Sequence, residues 1–255
     1  MPLQRWTRLI VTAGFSLAVL GSFTPARAAE KAPAIDPRAE SIVRAALQNI
    51  ATARSISLEA EIVNDIPLDS GQRIQEIGIQ KTYVRRPDRL AVVRKGHGAS
   101  SGSMYYDGKL FTLWKPEENV YATWEAPTTI DALFDTMQEK IGFVPPLSVL
   151  LHEDAGAGDA KKVRSATYVG LTPIRGVDCH HVALVGENVD VQMWIADAEP
   201  IFKRIVVTYK KRPLTPQWTA TFLDWNFSPR LSDYLFAFSP PPGARKIEFK
   251  VAGKP

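Results

Sequence analysis

The cluster with the most chemical promise in this 255-residue chain is Cys179-His180-His181. A thiolate and two imidazoles are good zinc or copper ligands, and a Cys–His pair can also support nucleophilic catalysis. The run falls in a segment that reads as a strand, residues 177–185. There Cys179 and His181 point one way and His180 the other, so the three do not converge locally. His97 and His152 lie in other segments, and no Cys-x-x-Cys or His-Glu-x-x-His spacing accompanies them. A buried cysteine beside ordinary strand histidines accounts for the run, and neither metal nor cofactor is expected. The pairs Glu117-Glu118 and Glu153-Asp154 sit in turn-like segments and read as solvated surface rather than an acid/base pair. Gly96, Gly98 and Gly102 with Ser100, Ser101 and Ser103 form a small flexible loop without a phosphate-loop pattern. The chain is not expected to be an enzyme.

The net charge of +4 and a pI near 9.1 invite a nucleic-acid reading, until the charge is assigned to regions. Arg5 and Arg8 precede an uncharged apolar run over residues 9–20, and Ala26-Arg27-Ala28 then supplies a small–x–small cleavage site. Twelve such residues reach about 18 Å as a helix, short of the roughly 30 Å of a bilayer core. Residues 1–28 therefore read as a cleavable export signal rather than an anchor. With no cysteine after the cleavage site, lipid anchoring there is not expected. Cleavage leaves 227 residues with 28 basic and 27 acidic side chains, a balance of +1. No clustered basic stripe remains, since Arg85-Arg86 and Lys210-Lys211-Arg212 are short. Neither a nucleic-acid partner nor a transmembrane anchor is expected, and the exported chain is placed in the periplasm. One cysteine excludes an intrachain disulfide, so the fold must be held by its core.

The elements that must position these residues follow from periodicity. Residues 29–35 form a loose lead-in. Asp36-Pro37 is a helix start, with Ile42, Val43, Ala46, Leu47 and Ile50 on one stripe. From Ser55 the period becomes two, with Ile56, Leu58, Ala60 and Ile62 alternating, then Ile77 and Ile79 after the Asp69-Ser70-Gly71 turn. Residues 90–93, 104–106, 110–114 and 120–124 are further strands. Asp107-Gly108 is read as a tight turn whose two positions both need positive φ. A helical interruption runs from Thr128 to about Leu151, with Thr128 and Asp131 as a capping box and Pro145-Pro146 as a break. Residues 155–158 (Ala-Gly-Ala-Gly) make a flexible connection, and strands resume over 163–170, 177–185, 189–195, 202–209, 217–227 and 246–251. Ten to twelve strands in consecutive hairpins make a mainly β, α+β fold: one curled antiparallel sheet whose concave face is covered by a few helices.

Three segments then carry a resemblance: Tyr83-Val84-Arg85-Arg86-Pro87-Asp88-Arg89-Leu90, Tyr106-Asp107-Gly108-Lys109-Leu110-Phe111-Thr112-Leu113-Trp114 and Tyr121-Ala122-Thr123-Trp124. Their order resembles the LolA lipoprotein-carrier family, with an Arg-Pro strand entry, an Asp-Gly-Lys hairpin and an Ala-Thr-Trp strand. Phe236-Ala237-Phe238-Ser239-Pro240-Pro241-Pro242-Gly243 is similar to that family's closing motif. Residues 36–250 most resemble an uncharacterised family of predicted periplasmic proteins with a LolA-like fold, to which Gly176-Val177-Asp178-Cys179-His180-His181-Val182 also fits. The resemblance implies an incomplete barrel over a single domain, residues 36–255, whose lidded concave face holds acyl chains. It also implies that Arg86 latches the lid by bonding lid-helix carbonyls. The residue alone reads equally as an exposed strand-end charge. The longer middle region departs from the carrier, which leaves the cargo open.

Alternation turns Leu110, Thr112 and Trp114 one way, and Phe111 and Leu113 the other. The candidates to line the concave space are Trp114, Trp124, Trp194, Trp218 and Trp225, with Phe134 and Met137 from the helical interruption. The expected function is binding or carriage of a hydrophobic ligand such as a lipid or acyl chain. The alternative is a periplasmic sensor or scaffold whose partner is another envelope protein.

Overall fold

A computed structural model describes residues 34–96, 101–153 and 162–249. The expected export signal, residues 29–33, the expected glycine connection at 155–158, His97, Asp154 and the end of the last expected strand lie outside the described residues. Helix α1 (Pro37–Thr52) starts where the Asp-Pro pair sets it, because the Asp36 carboxylate accepts from Arg38 N at 2.8 Å. Its buried Ala39, Ala46 and Ile50 face the sheet.

Twelve strands among the described residues form one open, curled sheet. The chain first lays down a meander: β1 (Ser55–Pro67), β2 (Arg73–Arg85), β3 (Arg89–Lys95), β4 (Gly102–Tyr106), β5 (Leu110–Lys115) and β6 (Val120–Glu125). After α2 (Ile130–Ile141) and α3 (Ser148–Leu151) comes a second meander. It comprises β7 (Val163–Ile174), β8 (Val177–Gly186), β9 (Val189–Ala196), β10 (Phe202–Tyr209) and β11 (Gln217–Asn226). The order β6-β5-β4-β3-β2-β1-β11-β10-β9-β8-β7 joins the two meanders along the antiparallel β1–β11 pair. Ile56, Leu58, Ala60 and Ile62 of β1 are buried toward the helices, as their alternation requires.

Four local expectations are corrected. The α2 cap is Thr129, whose hydroxyl accepts from Ala132 N at 3.2 Å, not Thr128. Asp131 is freed for another partner, and accepts instead from Glu153 N at 3.1 Å. At the β4–β5 turn only Gly108 has positive φ (87°), because the Asp107 carboxylate itself shapes the loop by accepting from Lys109 N and Leu110 N. The φ at Gly108 is one that L side chains rarely adopt, and a Cβ there would also push against the Arg89–Asp88 ion pair, so the turn favours glycine. The last strand, β12 (Arg245–Lys246), is short and pairs with β6 in parallel, so the sheet is not wholly antiparallel. It reaches that edge because the chain after β11 crosses the convex face. There Phe236 is fully buried beneath Arg85, and the Phe238 ring packs on Tyr105, Trp114 and Tyr121 at 5.2–5.6 Å.

Tyr106 anchors α2 to the sheet. It is fully buried and its hydroxyl donates to the Pro127 carbonyl, just before the helix. Burial first, then the nearby Asp88 carboxylate, pushes its pKa from the ordinary 10 up to about 12. Between those values the folded protein keeps a proton that the unfolded chain has lost. Its contribution to stability is therefore complete below pH 10 and fades as pH rises toward 12. Denaturant midpoints measured across that window are expected to fall less steeply for Tyr106→Phe. At neutral pH the same variant is expected to lose about 1–2 kcal/mol, through the orphaned Pro127 carbonyl.

Candidate functional site

The concave face is covered unevenly. Over β1–β4, the large side chains of α2 and the segment after it pack closely. Leu58, Leu90, Val92 and Met104 meet Phe134, Leu147 and Leu151 around a residual gap of only about 20 Å³. Over the other meander α1 packs on β7, β8 and β9 through Ala39, Ile42 and Val43, but none of its residues reaches the part of the wall nearer the β8–β9 turn. Register aligns Val191 with Val207, Met193 with Ile205, and Val207 with Trp218, making an apolar wall across β9, β10 and β11. Pro146, Leu147, Val149 and Leu150 roof it. Between wall and roof lies a cavity of about 620 Å³, running out to Gly186, Glu187 and Asn188 at the β8–β9 turn. That size falls within the range of small-molecule sites, and its lining is predominantly apolar.

The expected lining residues are dispersed. Trp218 is buried and forms part of the cavity wall. Phe134 and Met137 are buried under the lid in the tightly packed half. Trp124 stands at the β6 end of the concave face, against Phe111 at 4.5 Å and Phe249 at 4.3 Å, with the Lys140 ammonium 5.4 Å from its ring. Trp225 donates from Nε1 to the Phe202 carbonyl at 2.9 Å and stacks on Phe227. Trp114 and Trp194 are corrected: both belong to the convex face. Trp114 follows Leu113 by one residue, so pleating turns it away from the lid and beneath Phe238. Trp194 likewise follows the cavity-lining Met193, and is sandwiched between the His181 ring at 4.2 Å and Arg204. Sequence reading passed over Val191, Met193, Ile205 and Val207, whose spacing of two was the available signal.

Arg86 leaves the end of β2 and reaches the lid. Its Nη1 donates to the Leu151 carbonyl at 2.7 Å, at the C-terminal end of α3. Nε and Nη2 are buried without a hydrogen-bond partner among the described residues. Burial lowers the guanidinium pKa, while Asp131 and Glu153 act in the opposite direction. Asp131 also binds the lid's end, through Glu153 N and, at 3.7 Å, His152 Nδ1. The roof of the cavity is thus fastened to the opposite half of the sheet by one charge-assisted bond and its carboxylate neighbours.

Residues 39–250 match the family described as "Predicted periplasmic protein (DUF2092)". The chain belongs to this family. No curated protein matches it in sequence. Among solved structures, this DUF2092 chain is similar to the Mycobacterium tuberculosis lipoprotein LppX, at 11% identity and TM-score 0.47 over 77% of this chain and 100% of that one. It is also similar to a LolA superfamily protein from Nitrosomonas europaea, at 11% identity and TM-score 0.38 over 78% and 97% of the two chains. A third similarity is to the Pseudomonas aeruginosa MucA/MucB complex, at 12% identity and TM-score 0.45, covering 79% of this chain and 61% of that one.

In the DUF2092 chain the Cys-His-His run divides as strand geometry requires. Cys179 is a buried free thiol whose pKa burial pushes up, and His181 lies on the convex face with Trp194. His180 enters a chain of four polar groups that sequence reading missed. Its Nε2 is 2.9 Å from Asp197 Oδ1, its Nδ1 is 3.2 Å from the Tyr168 hydroxyl, and that hydroxyl accepts from Arg38 at 3.0 Å. The Asp197 carboxylate can only accept, so Nε2 of His180 is the donor in that contact. The chain clasps the start of α1 to β7, β8 and the turn after β9. Among the described residues no group of three His, Cys, Asp or Glu side chains is placed to hold a metal ion. His180→Phe is expected to cost about 1–3 kcal/mol, by stranding Tyr168 and Asp197, readable as a lowered thermal midpoint.

Proposed function

We propose that this protein is a periplasmic binding or carrier protein for a hydrophobic ligand such as a lipid or acyl chain, and not an enzyme. The observation that supports this reading is the apolar cavity of about 620 Å³ between the β9–β11 wall and the latched lid. Burial of each chain methylene supplies about 0.8 kcal/mol, and the lining asks for no polar partner along the chain. The reading takes residues 1–28 as a cleavable export signal and residues 36–255 as one ligand-binding domain. N-terminal sequencing of the exported protein should then begin at Ala29. No helix among the described residues is long and apolar enough to cross a membrane.

Native mass spectrometry of protein purified from the periplasm tests the reading. The expected result is a copurifying apolar molecule, and displacement of a solvatochromic apolar probe by dodecan-1-ol. Protein that is free of lipid and binds no probe would contradict it. A second reading, a sensor or scaffold for another envelope protein, draws support from the outer edge of β7. There Val169 and Leu171 are more than half exposed, beyond the short bridge from Ile35 to Ala166. It predicts a captured partner that is lost when Val169 and Leu171 become lysine, with no bound lipid.

A further inference from the structure

The cavity emerges at the end of the sheet that carries the β1–β2, β8–β9 and β10–β11 turns, where Lys162 and Arg164 line it beside Glu187 and Asn188. Apolar side chains are held outward there. Leu68 and Ile74 flank the β1–β2 turn at 38% and 42% exposure, and Leu214 in the β10–β11 turn is 45% exposed. The two turns form one unit. Arg73 donates to the Leu214 carbonyl at 3.4 Å, and Asp65 accepts from Gln217 N at 3.0 Å while lying 3.5 Å from Arg73. Leu214 is kept at φ 60°, where a branched side chain is unfavourable, so the turn's shape is imposed by these ties.

Once the ion pairs are set aside, the β10–β11 tip keeps two cations against the one Asp69 carboxylate of the β1–β2 tip. Arg73 is met by Asp65, Lys210 by Asp190 at 2.8 Å, and Arg164 by Glu187 at 3.8 Å. Lys211 and Arg212, in the same turn as Leu214, have no carboxylate partner among the described residues. The Arg212 guanidinium instead lies 4.3 Å over the ring of Tyr209, which itself lines the cavity. Protruding apolar tips with cations beside them match a bilayer interface, where hydrocarbon accepts the leucines and lipid phosphates face the cations.

We propose that this end of the sheet docks on an anionic lipid bilayer and brings the cavity mouth to the surface from which a chain enters. The entry role rests on the ligand-binding reading, but the docking is measured separately from it. Protein purified from the periplasm is sedimented with vesicles of phosphatidylglycerol and phosphatidylcholine in equal parts, and with vesicles of phosphatidylcholine alone. The mixed vesicles are expected to bind at least about tenfold more tightly, with the advantage shrinking as salt rises. The pairs Lys211→Gln with Arg212→Gln, and Leu68→Ser with Leu214→Ser, are each expected to remove most of that binding. Probe binding in solution reports whether each variant is folded. Equal binding to both vesicles, or wild-type binding by both pairs, overturns the proposal. A protein that binds the probe but not the vesicles refutes docking alone, whereas one that binds vesicles but no probe refutes the ligand reading alone.

Discussion

Replacing Val207 with tryptophan is expected to weaken binding of a dodecyl chain about fiftyfold while leaving the thermal midpoint nearly unchanged. Val207 stands mid-wall, opposite Val191 on one side and Trp218 on the other, and its side chain faces the cavity. An added indole projects into open volume rather than into packed neighbours, so the strain that usually accompanies overpacking is avoided. It displaces about three methylenes of a bound chain, and at 0.8 kcal/mol each the loss is about 2.4 kcal/mol, close to fiftyfold. Titration of the apolar probe, with a melt on the same sample, checks both halves. Unaltered affinity would place the ligand elsewhere.

Arg86→Met is expected to raise amide exchange in α3 and the residues after it by about ten- to a hundredfold, with a much smaller change in global stability. The bond from Nη1 to the Leu151 carbonyl is charge-assisted and partly shielded, a class that contributes about 1.5–3 kcal/mol. Global stability need not follow, because the guanidinium is desolvated and two of its nitrogens lack partners among the described residues. Replacing such a group with an apolar chain of similar length relieves that cost. Local opening of the lid and global unfolding should therefore separate, which hydrogen exchange resolves and a thermal melt does not. Uniformly faster exchange over the whole sheet would show that Arg86 supports the core rather than the lid.

Much of the architecture was legible because local chemistry decided it. Asp36 and Pro37 set the start of α1, and Ile56, Leu58, Ala60 and Ile62 declare by alternation which face of β1 is buried. The α2 cap slipped by one residue because Thr128 and Thr129 are chemically equivalent, and only backbone geometry separates them. The candidate site was less legible. Trp114 and Trp194 were singled out for their size, yet each adjoins a residue of the opposite face, and pleating overrides size. Neither could the sequence show the cavity, which lies where α1 does not reach across the β9–β11 wall and only the residues around α3 roof it. The Tyr168–His180–Asp197 chain was equally hidden, since β7, β8 and the turn after β9 meet only through tertiary register.

The seam between β1 and β11 has a consequence for how the chain is made. Ser57 lies opposite Asn226, so the central strand of the finished sheet waits for nearly the whole polypeptide before its second edge is paired. An emerging chain can close the β1–β6 hairpins early, but it carries a long strand rim, Ser57 to Asn64, open to any other chain. That rim stays unpaired until residues 217–226 arrive. Premature termination anywhere before β11 would thus yield a half-sheet prone to self-association rather than a smaller functional protein. The final segment, laid across the convex face of β2–β6, is made last of all and covers the half of the sheet that was made first.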